Sequence, residues 1–338
     1  MKELVSFGRF KGEEVHELTL RTEAGTEMKV ITFGAILRDL KVPAPEGLRR
    51  VLLGFTTLEA YIDNKHWHLG AVPGRVANRI AGGRFELDGR SYGLPRNQED
   101  RHTLHSGDYG FGARNWTVVD VDSRSVTLAV VAEDGEDGFP GRLTTTVTYR
   151  LLEPATLQIV YSATTDKATP INLTNHAYFN LDGRGDVLHQ RLALDSDFFT
   201  PTDADLIPTG EIRSVERTPW DFRTERPFLF ERDGQPFHYD GNVVLRSHGV
   251  LARAARATSS SGDVAMEVWT DQPGLQVFDA ETLDVSAPGL DGERLTARSG
   301  FCLEPQVFPD SINRPHFPNS VLRPGEVYTH HTEYRFGR

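Results

Sequence analysis

Leu143-Thr144-Thr145-Thr146-Val147-Thr148-Tyr149-Arg150-Leu151 puts Leu143, Val147, Tyr149 and Leu151 on one side of an extended chain. Thr144, Thr146, Thr148 and Arg150 fall on the other, the period of two that marks a strand with one face on a core. The same alternation returns in Ser125–Val131, Leu157–Tyr161 and Val264–Thr270, and Tyr328–Phe336 is rich in β-branched and aromatic residues. Turn pairs separate such runs: Asp88-Gly89, Asp134-Gly135, Asp182-Gly183, Asp233-Gly234, Asp240-Gly241 and Asp291-Gly292. Ser259-Ser260-Ser261-Gly262 is short enough for a hairpin turn. Helical signal is confined to Leu58–Asn64, behind the capping candidate Thr57. Strands and helices do not alternate, which argues against a doubly wound sheet. The expected fold is all-β, a large antiparallel sandwich, and with no long linker or internal repeat residues 1–338 read as a single domain.

Composition narrows the function classes. A formal net charge of -11 and a pI near 5.6 disfavour nucleic acid and anionic membranes as partners. No apolar run reaches the length of a membrane span. The stretch Met1–Gly8 lacks the basic start, apolar core and small-residue site of a secretory leader. Cys302 is the single cysteine, so an internal disulfide and a cysteine-based metal cluster are both excluded. The expected location is the cytoplasm. No G-x-S-x-G elbow, Walker loop or dinucleotide glycine motif is present, which leaves a serine hydrolase, an NTPase and a dinucleotide enzyme unsupported.

Two segments carry polar groups where an apolar strand would not need them. Phe301–Asn313 (FCLEPQVFPDSIN) sets Glu304 and Gln306 on one face and Leu303 and Val307 on the other. A buried carboxylate is costly unless something pairs with it or uses it. Ile171–Leu181 (INLTNHAYFNL), read as a strand, would put Asn172, Thr174, His176 and Tyr178 on one face. A histidine in such surroundings titrates near neutral pH, although a structural histidine fits the same pattern. Asn78 and Arg79 of Gly74–Ile80 (GRVANRI) offer donors for hydroxyl oxygens, and Arg79 keeps its proton and so can only bind. His102–His105 and His66–His68 have spacings that metals use, but without a third ligand they do not support a metal site. Tyr239–Asn242 reads most simply as a turn, and Gln276 stands between Leu275 and Val277 on the opposite face.

Taken in order, these pieces resemble the aldose 1-epimerase (galactose mutarotase) family. The matching segments are GRVANRI, Leu104-His105 with Gly107, Gly110-Phe111, Trp116, NLTNHAYFNL, Asp240 with Asn242, Pro273–Gln276 (PGLQ) and EPQVFPDSIN. The resemblance runs from about residue 30 to the C-terminus. It implies a galactose mutarotase-like sandwich that interconverts the α and β anomers of free hexoses such as galactose and glucose, without cofactor or metal. It implies Glu304 as general base and His176 as general acid. Asn78, Arg79, His105, Asp240 and Gln276 match sugar-binding positions, with Tyr178 beside the acid. The implied partner is a small-molecule aldose, bound by a monomer or homodimer. The chain departs from the family pattern at Ser106, at Gly112-Ala113 and at Gly241, where a histidine is common.

The chemistry fits that pair of residues. Opening a pyranose removes a proton from the C1 hydroxyl and gives one to the ring oxygen. Rotation about C1–C2 and reclosure then deliver the other anomer. A carboxylate and an imidazolium suffice, and carboxylate neighbours raise the histidine pKa while burial lowers it. Two other readings remain at this point: a hexose-phosphate 1-epimerase, which needs an arginine cluster, and a non-catalytic sugar-binding module.

Overall fold

A computed structural model describes residues 4–337. Met1–Glu3, which open the stretch read above for a leader, and Arg338 lie outside the described residues. The alternation that announced strands becomes three large antiparallel sheets, with four two-stranded ribbons beside them among the described residues. An N-terminal sheet of five strands runs in chain order from Val5–Phe10 to Gly47–Arg50. A nine-stranded sheet is centred on Leu143–Leu152, Thr156–Thr165, Tyr328–Gly337 and Ala265–Thr270. A third sheet of five strands orders Arg213–Ser214, Ser196–Thr200, Asp240–Leu245, Gly274–Phe278 and Cys302–Gln306.

In Leu143–Leu152 each odd-numbered residue is buried and each even-numbered one at least partly exposed, as a strand with one solvated face requires. The buried faces of all three sheets meet in one core. Leu18, Leu20 and Val30 come from the first sheet, Leu128, Val147, Ile159 and Tyr334 from the second, and Val243, Leu275, Val277 and Leu303 from the third. Ser259–Gly262 lies in a hairpin connection between Ala252–Thr258 and Ala265–Thr270. The helix covers Leu58–Asp63, and Thr57 Oγ1 accepts the N–H of Ala60 as an N-cap. No helix among the described residues is long and apolar enough to cross a membrane.

Two local readings need correction. Asp240-Gly241 is not a turn; it starts the strand Asp240–Leu245, paired with Gly274–Phe278. Residues 171–181 form no regular strand. Their asparagines satisfy backbone groups of neighbouring loops instead of a ladder, which short polar side chains do readily. His66 and Trp67 lie in the 3₁₀ turn Lys65–Trp67.

Candidate active site

The third sheet supplies the floor of a cleft. Its register places Asn242 opposite Gln276 and Gln276 opposite Glu304, while Asp240, Phe278 and Cys302 form the adjacent row. Directly paired residues share a face, so these side chains and Gln306 all point one way. Gly241, Val243, Leu275, Val277 and Leu303 point the other way. Four of these five side chains are in the core, and Trp220 covers the Cα of Gly241, where an added Cβ would stand 2.8 Å from the indole. Gly274 also has to be glycine, since a Cβ there would lie 2.5 Å from Asn242 Oδ1.

The floor is braced by amide bonds. Gln276 Nε2 donates to Asp240 Oδ1 at 2.5 Å, and Gln306 Nε2 donates to Asn242 Oδ1 and Gln276 Oε1 at 3.3 Å each. Arg79 enters from the facing loop. Its guanidinium donates to Asp240 Oδ2 at 3.3 Å and to Gln98 Oε1 at 3.1 Å, which fixes the planar donor group at the cleft edge.

The facing wall is built by loops tied to one another. Asn172 accepts the N–H of Val307 at 2.9 Å and donates to the carbonyls of Val307 and Ala77, joining GRVANRI to the strand of Glu304. His176 is held through its backbone, with its N–H on Ala71 O and its carbonyl receiving Gly70 N–H. Tyr178 donates its hydroxyl to Trp67 O and stacks its ring on His176 at 5.0 Å. His105 and Asn78 both take positive φ and bond reciprocally: His105 Nδ1 accepts Asn78 N–H at 3.1 Å, and His105 N–H reaches Asn78 O at 3.0 Å. With Nδ1 an acceptor, the neutral ring carries its proton on Nε2. Ser106 anchors the same loop by accepting Val76 N–H and donating to Val76 O.

Glu304, His176, Asn78, Arg79, His105, Tyr178, Asp240 and Gln276 thus line a single cleft of about 250 Å³. His66, Trp67, Leu104, Leu206, His238, Phe278 and Thr282 complete the lining. At its deep end Glu304 Oε2 lies 3.8 Å from His176 Nε2, both side chains nearly enclosed. The other imidazole nitrogen lies 3.5 Å from the Cys302 thiol. Glu304, Cys302 and His176 offer donor atoms within 4.8 Å of one another. The Cys302 thiol faces Nδ1 and Glu304 Oε2 faces Nε2 of the same ring.

Burial dominates the electrostatics. It pushes the Glu304 carboxyl well above the usual range; Asp240 adds to the rise and Arg79 opposes it. It pulls His176 down to about 4, against its backbone hydrogen bond and the charge of Asp240. Carboxylate neighbours therefore do not win at the histidine, as the competing terms left open. His68, 4.5 Å ring to ring from His105 and 6.2 Å from His176, is lowered to about 3 by burial and the nearby histidine. The Cys302 thiol is pushed up by burial and then by Glu304, so it stays neutral. Burial thus favours a protonated Glu304 beside a neutral His176.

Comparison with known proteins places this architecture. The aldose 1-epimerase family profile matches residues 16–335. The chain is 40% identical over 331 residues to a galactose mutarotase of Rattus norvegicus, covering 96% of this chain and 95% of that protein. It is 37% identical over 335 residues to an aldose 1-epimerase of Escherichia coli K12, covering 96% of each. The chain belongs to the aldose 1-epimerase family. A crystal structure of an aldose epimerase homologue from C. elegans superposes with a TM-score of 0.90 at 31% identity, covering 96% of this chain and 99% of that one. A galactose 1-epimerase from Lactobacillus acidophilus, at 23% identity and a TM-score of 0.84, shares the fold.

As a member of this family the chain is an isomerase, and its departures from the family pattern acquire locations. Gly241 faces Trp220 and not the cleft. Gly112 packs against His68, whose Nδ1 lies 2.9 Å from where a Cβ would stand. Ser106 clamps backbone. None of the three lines the cleft. The sequence reading passed over Trp67, Phe278, Cys302 and His238. Phe278 and Cys302 carry a signal in hindsight, since both keep the strand parity of Gln276 and Glu304.

Proposed function

We propose that Glu304 and His176 are the base and acid with which this aldose 1-epimerase interconverts the α and β anomers of free hexoses, galactose and glucose among them. The observation that carries the reading is their placement: two buried ionisable groups 3.8 Å apart at the deep end of a cleft lined by polar donors. O1 and the ring oxygen O5 are both bonded to C1, so the groups that serve them must be close neighbours. At 3.8 Å they do not hydrogen-bond each other, which leaves both free for the sugar.

Between them the pair holds one proton. Hydrogen bonds from a bound sugar to the carboxylate favour its ionised form, and the proton passes to His176. Glu304 then takes the C1 hydroxyl proton, the C1–O5 bond breaks, and His176 gives its proton to O5. The open aldehyde lies beside a protonated Glu304 and a neutral His176, the state burial already favours. After rotation about C1–C2 the roles reverse: His176 takes the O5 proton, O5 attacks C1, and Glu304 returns a proton to O1. Arg79, Asn78, His105, Asp240 and Gln276 hold the hydroxyls so that the aldehyde stays in place to reclose.

Free aldoses fit the cleft better than sugar phosphates. Among the described residues Arg79 is the one arginine in its lining, and it is engaged by Asp240 and Gln98. Polarimetry on freshly dissolved α-galactose, α-glucose and glucose 6-phosphate tests the assignment. Fast enzyme-dependent anomer exchange on the free sugars is expected. Exchange confined to the phosphate, or sugar binding without exchange, would overturn it.

A further inference from the structure

The cleft lining includes one anchored donor that no part of the chemistry above uses. His238 stands two residues before Asp240 at the rim, its side chain 34% exposed. Its Nδ1 lies 2.7 Å from Asp279 Oδ1, and the Asp279 carboxylate is itself only 1% exposed. Asp279 is held in turn by the N–H of Glu281 at 3.2 Å and flanked by Arg298 at 3.5 Å. A buried carboxylate that orients an imidazole through Nδ1 leaves Nε2 to face outward. No bond from that nitrogen to another group is formed among the described residues. Burial opposes charging the ring, but the bond to Asp279, with Asp240 and Glu281 nearby, outweighs it and raises the pKa. The ring is thus a fixed donor.

Phe278 separates this donor from the acid. Its ring centroid lies 6.3 Å from His176 and 6.0 Å from His238, edge-on to both. Around the cleft the order is Glu304, His176, Phe278, His238. Around a hexopyranose the order is O1, the ring oxygen, C5 and then the exocyclic C6 hydroxyl. The two sequences match, with the apolar ring beside the C5–C6 edge. Gln276, Asp240 and Arg79 line the floor and the cleft edge, toward the C2 and C3 hydroxyls.

We propose that His238, oriented by Asp279, is a specificity-determining residue that donates Nε2–H to the exocyclic C6 hydroxyl and so favours hexoses over sugars lacking that oxygen. The assignment rests on the roles of Glu304 and His176 proposed above. The test measures kcat and KM for galactose and for 6-deoxygalactose with the wild type and with His238→Phe, which keeps a ring at the rim and removes the donor. For galactose, KM is expected to rise about tenfold with kcat within twofold, the worth of one hydrogen bond to substrate. For 6-deoxygalactose the substitution is expected to change neither constant. An equal KM penalty on both sugars, a fall confined to kcat, or a variant indistinguishable from wild type on galactose would each overturn the assignment. Wild-type exchange on galactose is read in the same series: its absence marks failure of the catalytic assignment, whereas intact exchange with no His238 effect marks failure of the His238 assignment alone.

Discussion

Acidification gives an informative perturbation, because the pair shares a single proton and burial fixes where the second one enters. Burial favours the protonated form of Glu304, so the next proton must go to His176, which burial lowers from 6.5 to about 4. The kcat/KM of the wild type should therefore show no loss on acidification through pH 6.5 to 5.5. It should fall below about pH 4, approaching tenfold per unit, as the doubly protonated pair accumulates. If His176 titrated at the ordinary value of 6.5, activity at pH 5.5 would already be down roughly tenfold. The assay is polarimetry on α-galactose with the uncatalysed rate subtracted at each pH. Unfolding has to be followed in parallel, since His68 and His330 are also held neutral, to about 3 and about 4, mainly by burial. Their folded pKa values lie below the unfolded one, so the unfolded chain binds more protons below pH 6.5 and stability falls as pH drops toward 4. An acid limb near pH 6.5 in protein that is still folded would refute the argument that burial controls this pair.

Two substitutions separate chemistry from framework. His176→Asn should lower kcat by at least about 100-fold in stopped polarimetric assays, the loss of a general acid, whereas a change confined to KM would make His176 a binder. Asn172→Ala removes the amide that serves Val307 N–H, Val307 O and Ala77 O, all enclosed. Leaving them unpartnered should cost roughly 3 kcal/mol, seen as a lower urea midpoint. An unchanged midpoint would mean that the two loops are tied together by other contacts.

The all-β architecture was legible because burial on one face imposes a period of two, and Leu143–Leu151 obeys it residue by residue. Glu304 and Gln276 stood out for the same reason, as polar groups at the wrong parity for a core. Two local readings failed for identifiable causes. Asp-Gly is a turn pair in isolation, but at Asp240 the strand pairing to Phe278 and the packing of Trp220 over Gly241 override that preference. Residues 171–181 alternate like a strand, yet Asn172, Asn175 and Asn180 spend their amides on Val307, Gly70 and Ser299, and the backbone follows those anchors. The resemblance to the epimerase family supplied the pairing of Glu304 with His176; neither residue alone reveals the other, since they are 128 positions apart and meet only through the fold. His238 had no signal at all in the sequence, because its partner Asp279 is brought to it by register.

The central claim is that Glu304 moves the anomeric proton. Glu304→Gln keeps the shape of the protonated side chain and removes the titratable oxygen. Polarimetry on fresh α-galactose should then show anomer exchange reduced at least about 100-fold, with circular dichroism and the melting curve unchanged. A rate near that of the wild type in the folded variant would contradict the account.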